Sequence, residues 1–360
     1  MVTMQNKKIV LFFLPGSVGG AERMTVTIAK MLPLDEFIVK FVIVGKNRGN
    51  IEDFIPNEYD VLFVKIRNVY DFLTLRLYRI IRHERADYAF CSLRVLSARV
   101  ILASQMFGKC KVIIRSENTW IKPYNFRRKV NHFYYRHSFP KAFRIITQQE
   151  EMRKDMLDYM PSLLPEKVLV MHNPLDYNRI DDGAKASNPY PADECINYVW
   201  VGSFSPEEGQ DILVKAFSIV HAKSPISHLY FVGKYDFNKK YDKSIRDFVE
   251  SNGLTHFVHF IGFDVNPYRW MKYCNCFVLP SRHEGLPNSL LEAMYLERPV
   301  VAAVCIPVIE RIVEEGVNGY KVKSEDCVAM SEAMLKAVKL SNCKLTFRSA
   351  SKEDFVNLFN

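Results

Sequence analysis

A segment near the C-terminal end of the chain carries the residues best suited to chemistry. Its sequence, CFVLPSRHEGLPNSLLEAM, places Glu284 and Glu292 eight residues apart. We predict a buried strand, a polar loop and a helix that starts after Pro287, a position that tolerates proline. Free N–H groups at the helix start favour an anion such as a diphosphate, and Gly285 lets a ligand approach the backbone. An ordinary capped amphipathic helix has the same glutamate spacing, so the pair alone specifies no ligand.

Strand and helix patterns alternate around this segment and along the whole chain. Strands are predicted at residues 8–14, 37–45, 88–91, 111–115, 143–147, 168–171, 196–202, 228–233, 258–262, 276–280 and 299–304. Helices are predicted at residues 21–32, 70–82, 96–107, 149–159, 211–223, 243–251 and 289–296. This alternation is typical of parallel sheets covered by helices on both faces.

A polar stretch at residues 173–195, rich in Pro, Asn and Asp, interrupts the alternation and predicts an inter-domain linker. The alternation then starts again, which indicates two Rossmann-like domains. Ligands of such sheets bind at the carboxyl ends of the strands, so we expect the site in a cleft between the two domains.

The composition is that of a folded protein, with 360 residues, 48% hydrophobic and 25% charged. No apolar run approaches the eighteen or so residues of a membrane span, and the N-terminal apolar stretch is interpreted as a strand, not a signal peptide. Eight scattered cysteines fit a reducing compartment, and we predict a cytoplasmic location, at or near the inner face of a membrane.

Positive charge is concentrated in the first half. Residues 1–180 hold 29 Lys and Arg against 17 Asp and Glu, within a total net charge of +9. A basic N-terminal half could bind anionic lipid, a phosphorylated acceptor or nucleic acid. It could also be a basic surface with no such partner.

The stretch KPYNFRRKVNHFYYRHSF at 122–139 mixes basic and aromatic residues, which suits a bilayer interface or a half-buried helix. No RNA-binding signature accompanies it, so no nucleic-acid partner is predicted. His132 and His137 are predicted on the surface of this helix.

The segment around Glu284 resembles the signature of the retaining GT-B glycosyltransferases of family four, the glycosyl transferases group 1. Those proteins carry a Glu, seven residues and a second Glu in this strand–loop–helix setting. The resemblance extends over most of the chain, through GGAER at 19–23, VMHNPLD at 170–176, VGSFSPEEG at 201–209, FVG at 231–233, FIGFDVNP at 260–267, PVVAA and GVNGYKV.

The resemblance implies an α/β GT-B fold, with two Rossmann-like domains facing each other across a cleft. Residues 1–175 would bind the acceptor and residues 190–345 the nucleotide sugar, with the tail 346–360 packing back on the first domain. The implied reaction moves a hexosyl group from a UDP- or GDP-linked sugar to a lipid-linked glycan or polysaccharide precursor, with retention of configuration. No cofactor is implied, and the lack of an Asp-x-Asp pair indicates a metal-independent site.

Individual roles also follow from the resemblance. Glu284 would contact the donor sugar and Glu292 the ribose, with Val265 beside the base through its backbone. Gly19 and Gly20 would form a loop over the pyrophosphate, although a simple tight turn has the same sequence. The remaining donor-binding positions are Gly202, Ser203, Glu208, Gly233, Lys234, Arg282, Gly285, Leu286 and Asn288.

Two departures from the family pattern stand out. Ser203 and Glu208 occupy the positions of an Arg and a Lys that normally clamp the leaving diphosphate. Another cation could replace them, with Arg282, Lys234 and Arg23 as candidates. Alternatively, the donor is unusual, or the chain is a weak or inactive member that acts as a binding subunit in glycan assembly. A different class of protein, a dehydrogenase, would also have alternating strands and helices, but this chain lacks the glycine fingerprint of dinucleotide binding.

The second departure lies in the first domain. Relatives often place a His near position 118, whereas this chain has no His between residues 84 and 131. Asn118 is predicted to contact the donor sugar instead, with Arg115 and Glu117 beside it on the acceptor side. A helix-capping turn at SEN is the alternative.

Overall fold

The chain folds into two compact units, Met1–Pro174 with Ser349–Asn360, and Leu175–Arg348. The structure is a computed structural model that describes residues 7–66, 73–116, 126–191, 194–341, 343–345, 347 and 349–359, with the backbone alone at 126–129. Within these residues, no helix is long and apolar enough to cross a membrane. Glu117 and Asn118 lie outside the described residues.

Each unit is built on one parallel sheet. The first sheet has the strand order β3-β2-β1-β4-β5-β6-β7 and the second β10-β9-β8-β11-β12-β13. The strands are β1 Lys8–Pro15, β2 Phe37–Gly45, β3 Asp60–Lys65, β4 Tyr88–Cys91, β5 Lys111–Arg115, β6 Arg144–Thr147, β7 Val168–Val170, β8 Ile196–Ser203, β9 Ser227–Lys234, β10 Val258–Gly262, β11 Cys276–Leu279, β12 Val300–Val304 and β13 Gly319–Lys323. These parallel sheets confirm the prediction of two Rossmann-like α/β domains.

Helices cover the sheets. They are α1 Gly20–Lys30, α2 Leu73–His83, α3 Arg94–Phe107, α4 Phe126–Ser138, α5 Glu150–Tyr159, α6 Tyr177–Ala184, α7 Gln210–Lys223, α8 Lys240–Ser251, α9 Tyr268–Tyr273, α10 Asn288–Tyr295, α11 Pro307–Ile312, α12 Cys327–Ala337 and α13 Lys352–Val356. Alternate side chains of a strand enter opposite layers: in β8, Val199 packs in one core cluster, and Tyr198 and Trp200 pack in the other. Apolar residues therefore occupy successive positions in the central strands.

The stretch predicted as a linker, residues 173–195, contains the boundary between the two units, and from Leu175 onward it belongs to the second unit and includes helix α6. Asp176 caps α6 by accepting from the N–H of Arg179 at 3.3 Å, and Ile180 is fully buried in the second unit. The Tyr190 hydroxyl donates to the Trp270 carbonyl at 2.6 Å. A single buried isoleucine among polar residues is too weak a pattern to predict this helix from the sequence.

The last residues of the chain belong to the first unit. The Phe359 ring lies 5.3 Å from Tyr88 and 5.8 Å from Phe37, between ring centroids. Lys8 Nζ donates to the Phe359 carbonyl at 2.8 Å, and Arg144 Nη1 to the Asn357 carbonyl at 2.7 Å. These contacts attach the C-terminal helix to the sheet of the first unit.

Candidate active site

The strand order of the second sheet reverses between β8 and β11, which pair in parallel. Ligands of open α/β sheets bind at such a switch point, beyond the carboxyl ends of the strands. Glu208 follows β8 and Glu284 follows β11, so the fold brings the two carboxyl groups to the same edge.

Glu284 is held by its own loop. The Ser281 hydroxyl donates to Glu284 Oε1 at 2.8 Å. Burial raises the pKa of Glu284 to about 7, and the hydrogen bond from Ser281 opposes that rise. The side chain is therefore both oriented and partly desolvated, which suits a group that binds a sugar hydroxyl.

Glu208 ends a 3-10 turn at Pro206–Glu208 and is half-buried. Burial, followed by the charges of Glu284 and Glu207, raises the pKa of Glu208 to about 8. Two interacting carboxyl groups that are partly buried do not both ionise easily. The pair therefore keeps a proton to higher pH than two isolated carboxyl groups would, which reduces its repulsion of an anionic ligand.

Three glycines, Gly202, Gly209 and Gly233, allow neighbouring segments of the chain to pack closely at the carboxyl ends of these strands. Gly233 has a φ of +153°, and a Cβ there would lie 1.6 Å from the Gly202 carbonyl oxygen. Gly209 has a φ of +72°, and a Cβ there would lie 2.2 Å from the Pro280 carbonyl oxygen. A Cβ at Gly202 would lie 2.7 Å from the Trp200 ring, so packing accounts for all three glycines without any ligand.

The candidate cations differ in their surroundings. Lys234 pairs in register with Ser203 at the ends of β9 and β8, and its side chain is exposed. Arg282 instead donates to the carboxylates of Asp211 and Glu325 and to the Pro206 carbonyl. Its predicted role as a free cation for the diphosphate disagrees with this geometry, because its N–H groups already have acceptors. Arg23 lies in the first unit, with its guanidinium 5.8 Å from the centre of the Phe54 ring.

Helix α10 begins at Asn288, directly after Gly285, Leu286 and Pro287. The Leu286 side chain is buried in the core, so only its backbone is available to a ligand. Glu292, in the second turn, is half-buried and accepts from the Tyr268 hydroxyl at 3.4 Å.

Val265, predicted to lie by the base, has a side chain that is 65% exposed. Its carbonyl accepts from Arg179 Nη2 at 3.4 Å. The preceding Asp264 accepts from Trp270 Nε1 at 2.8 Å and from Arg269 Nη2 at 2.8 Å, which holds the loop in place.

In the first unit, the Gly19–Gly20 turn starts α1 after β1. The Glu22 carboxylate bends back over this turn, so that a Cβ at Gly19 would lie 2.6 Å from Glu22 Oε2. Burial raises the pKa of Glu22, and hydrogen bonds from the N–H groups of Glu22 and Gly19 oppose the rise. A carboxylate of the chain itself therefore uses part of this helix start, and the predicted pyrophosphate contact stays a prediction.

Arg115 ends β5 and is buried, and its Nη2 donates to Asn173 Oδ1 at 2.5 Å. His132 was predicted on the surface, but it is 8% exposed and contacts the Tyr159 hydroxyl. His137 is exposed, in agreement with the prediction.

Three polar residues that support the site were not predicted from the sequence. Ser281 and Asp211 lie three residues before Glu284 and three after Glu208, and Glu325 comes from a distant loop. The short spacing of Ser281 from Glu284 was a usable signal, whereas nothing in the sequence connects Glu325 to this edge.

The two parallel sheets and the strand–loop–helix that carries Glu284 and Glu292 define a glycosyltransferase of the group 1 type. The family model of Glycosyltransferase Family 4 matches residues 18–179, and that of Glycosyl transferases group 1 matches residues 196–339. The chain belongs to this family, as the sequence predicted.

Individual relatives agree with this class. The chain is 25% identical over 308 residues to the N-acetylgalactosamine-N,N'-diacetylbacillosaminyl-diphospho-undecaprenol 4-alpha-N-acetylgalactosaminyltransferase of Campylobacter jejuni, covering 82% of this chain and 80% of that protein. It is 26% identical over 247 residues to an uncharacterized glycosyltransferase of Methanocaldococcus jannaschii, covering 64% of this chain and 59% of that protein.

A solved structure shows the same fold. Anabaena HepE in complex with UDP-glucose matches with a TM-score of 0.76 at 20% identity, covering 92% of this chain and 90% of that chain. The GT-B fold class predicted from the sequence is confirmed.

Proposed function

We propose that this chain transfers a hexosyl group from a UDP- or GDP-linked sugar to a lipid-linked glycan or polysaccharide precursor, with retention of configuration and without a metal ion. The observation that carries the proposal is the position of Glu284, held by Ser281 beyond β11 and four residues before α10 begins. The carboxylate can accept hydrogen bonds from sugar hydroxyls. The N–H groups at the helix N-terminus beside it can donate to a diphosphate.

The described residues suggest a division of roles. Glu284 would accept hydrogen bonds from the sugar, and Glu292 from the ribose. Lys234 and the N–H groups at the start of α10 would neutralise the diphosphate, because the family's usual cations are replaced by Ser203 and Glu208. Preorganised charges of this kind stabilise a leaving group without reorganisation.

In the proposed reaction, the bond between the anomeric carbon and the donor phosphate breaks. The acceptor hydroxyl oxygen bonds to that carbon on the same face, and its proton passes to the leaving phosphate oxygen. The retained configuration needs no side-chain nucleophile in this scheme. No cofactor is required, because the nucleotide sugar is itself a substrate.

The proposed acceptor class draws on the relatives. The Campylobacter protein is named for a substrate linked to diphospho-undecaprenol. For this chain we propose an acceptor on a lipid carrier of similar type, which places the reaction at the cytoplasmic face of a membrane.

One exposed surface of the first unit supports such a location. Val130, Phe133 and Tyr134 are 39%, 61% and 51% exposed on α4, beside the exposed Arg136 and His137. Apolar and aromatic side chains among basic groups suit the headgroup region of an anionic bilayer. We propose peripheral contact with anionic lipid through this face.

One observation favours a second candidate, a family member that binds donor or acceptor without turnover. Glu208 places a carboxyl group where the family has a phosphate-binding lysine, beside Glu284. A binding subunit of a glycan-assembly complex would tolerate this change.

Transfer assays decide between the two. The protein is incubated with a panel of UDP- and GDP-sugars and a polyprenyl-diphosphate glycan, with and without a chelator, and the product anomer is assigned by NMR. Metal-independent transfer with retention supports the proposed enzyme. Binding of UDP or GDP without transfer or donor hydrolysis supports the subunit, and inversion contradicts the proposed stereochemistry.

A further inference from the structure

Arg282 lies two residues before Glu284 and makes an unusually complete set of hydrogen bonds. Its Nη1 and Nη2 donate to the two carboxylate oxygens of Asp211, both at 2.8 Å. Nη1 also donates to the Pro206 carbonyl at 2.6 Å. Nε and Nη2 donate to the two oxygens of Glu325, the latter at 3.1 Å.

These five bonds use the five N–H donors of a guanidinium group. A phosphate could bind Arg282 only by displacing one of these acceptors, which belong to Asp211, Glu325 and Pro206. The ion pairs hold the pKa of Arg282 above its ordinary value, so the group stays charged and paired. Arg282 is thus poorly placed to replace the missing phosphate-binding cations.

The same residue joins four segments of the second unit. They are the turn at Pro206–Glu208, the first turn of α7 with Asp211, the loop after β11, and the residues before α12 with Glu325. The Arg282 N–H also donates to the Glu207 carbonyl at 2.7 Å, so backbone and side chain both bind the turn that carries Glu208.

Both carboxylate partners are themselves constrained. Asp211 Oδ1 accepts from the Tyr241 hydroxyl at 2.8 Å, and hydrogen bonding by Arg282 and Tyr241 outweighs burial and lowers the pKa of Asp211. Glu325 has a φ of +72°, a conformation that costs energy in a residue with a side chain. Strain of this kind persists where surrounding contacts hold the residue, as the Arg282 pair does here.

We propose that Arg282 is a positioning residue, which with Asp211 and Glu325 fixes the loops that carry Glu208 and Glu284. It sets the distance between those two carboxyl groups and the place of Glu284 relative to α10. The inference rests on the proposed function for its effect on transfer, whereas its structural part can be measured without any substrate.

The test uses the full chain with Arg282→Lys, which keeps the charge but loses the bidentate fork, and Asp211→Asn. Lys243→Gln, in an exposed ion pair on α8 with Asp247, is the matched control. Hydrogen exchange measured by mass spectrometry should speed up about tenfold or more in peptides covering 205–210 and 280–286. Exchange in the β9 peptide 227–234 should be unchanged.

Binding and kinetics separate positioning from phosphate binding. The ratio of UDP to uridine affinity should change by less than about threefold in Arg282→Lys, whereas kcat falls about tenfold or more and KM changes little. The effect of the double variant Arg282→Lys/Asp211→Asn should be smaller than the sum of the two single effects, since both weaken the Arg282–Asp211 pair.

Two results would overturn the proposal. One is unchanged exchange in both site peptides of Arg282→Lys. The other is a selective loss of UDP over uridine binding in Arg282→Lys with none in Asp211→Asn, which would make Arg282 a phosphate ligand. If the wild-type protein transfers no sugar, the proposed function fails, and the exchange data still decide the role of Arg282.

Discussion

Glu208 and Glu284 interact across the ends of the paired strands β8 and β11, where burial and the charge of Glu284 together raise the pKa of Glu208. The resemblance to family four implies a lysine at this position, whereas here two carboxyl groups repel each other. Because both pKa values are raised, the pair loses its first proton less readily at low pH and its second less readily still, which limits this repulsion.

The first prediction concerns Glu284. Glu284→Ala should reduce transfer at least about 100-fold, because it removes a fixed group for the sugar in a partly desolvated site. The thermal unfolding temperature should not fall, since the change also removes one of two repelling carboxyl groups. Transfer rates and circular dichroism melts check both parts, with the exposed Glu332→Gln as control. If the variant retained most of its activity, the assignment of Glu284 as a contact of the donor sugar would be wrong.

The second prediction concerns the pH dependence of stability. A carboxyl group whose pKa is raised on folding binds its proton more tightly in the folded state, so stability falls as pH rises. For Glu208 the window runs from the ordinary value of 4.5 to about 8. Glu208→Gln should therefore be more stable than wild type at pH 9, by about 1–3 kcal/mol, and equal to it at pH 4.

Denaturant unfolding at pH 4, 7 and 9 measures this difference. Glu332→Gln, which changes an exposed glutamate on α12, serves as the control. Parallel stability curves for wild type and Glu208→Gln would show that Glu208 titrates in the folded protein much as it does in the unfolded chain.

The third prediction concerns a variant with lysine at position 208, the residue that the resemblance to family four implies there. Glu208→Lys should strengthen UDP or GDP binding about tenfold, because it replaces a carboxyl group with a charge of the sign that a diphosphate requires. Glu207→Lys makes the same change in net charge on the exposed side of the turn and controls for long-range attraction. Calorimetric titration at two salt concentrations checks the effect. Equal affinities in both variants would mean that Lys234 or the α10 start already neutralises the phosphates.

The fourth prediction concerns the exposed aromatic face of α4. Phe133→Ser should weaken binding to vesicles of phosphatidylglycerol about tenfold, because it removes an apolar side chain that the bilayer would bury. Phe263→Ser changes a side chain of similar exposure, 55% against 61%, in the second unit and should have no effect. Vesicle sedimentation measures both, and equal loss in the two variants would argue against docking through α4.

The sequence predicted the two parallel α/β sheets because the signals for them are local. Apolar strand residues such as Val10 to Leu14, and Val199 with its neighbours in β8, stand out whatever surrounds them. The segment from Glu284 to Glu292 was likewise visible, because its strand, loop and helix are contiguous. The strands β3 and β13 were missed, since DVLFVK and GYKVK mix charged and apolar residues on sheet edges.

Only the tertiary structure decided how the polar groups are paired. Arg282 looked like a spare cation for a diphosphate until Asp211 and Glu325, from residues 71 and 43 positions away, were seen to occupy its donors. Glu208 looked fully charged until its burial beside Glu284 was known. Residue type and spacing determine which chemical groups the chain offers, whereas desolvation and long-range partners determine which of them remain available to a substrate.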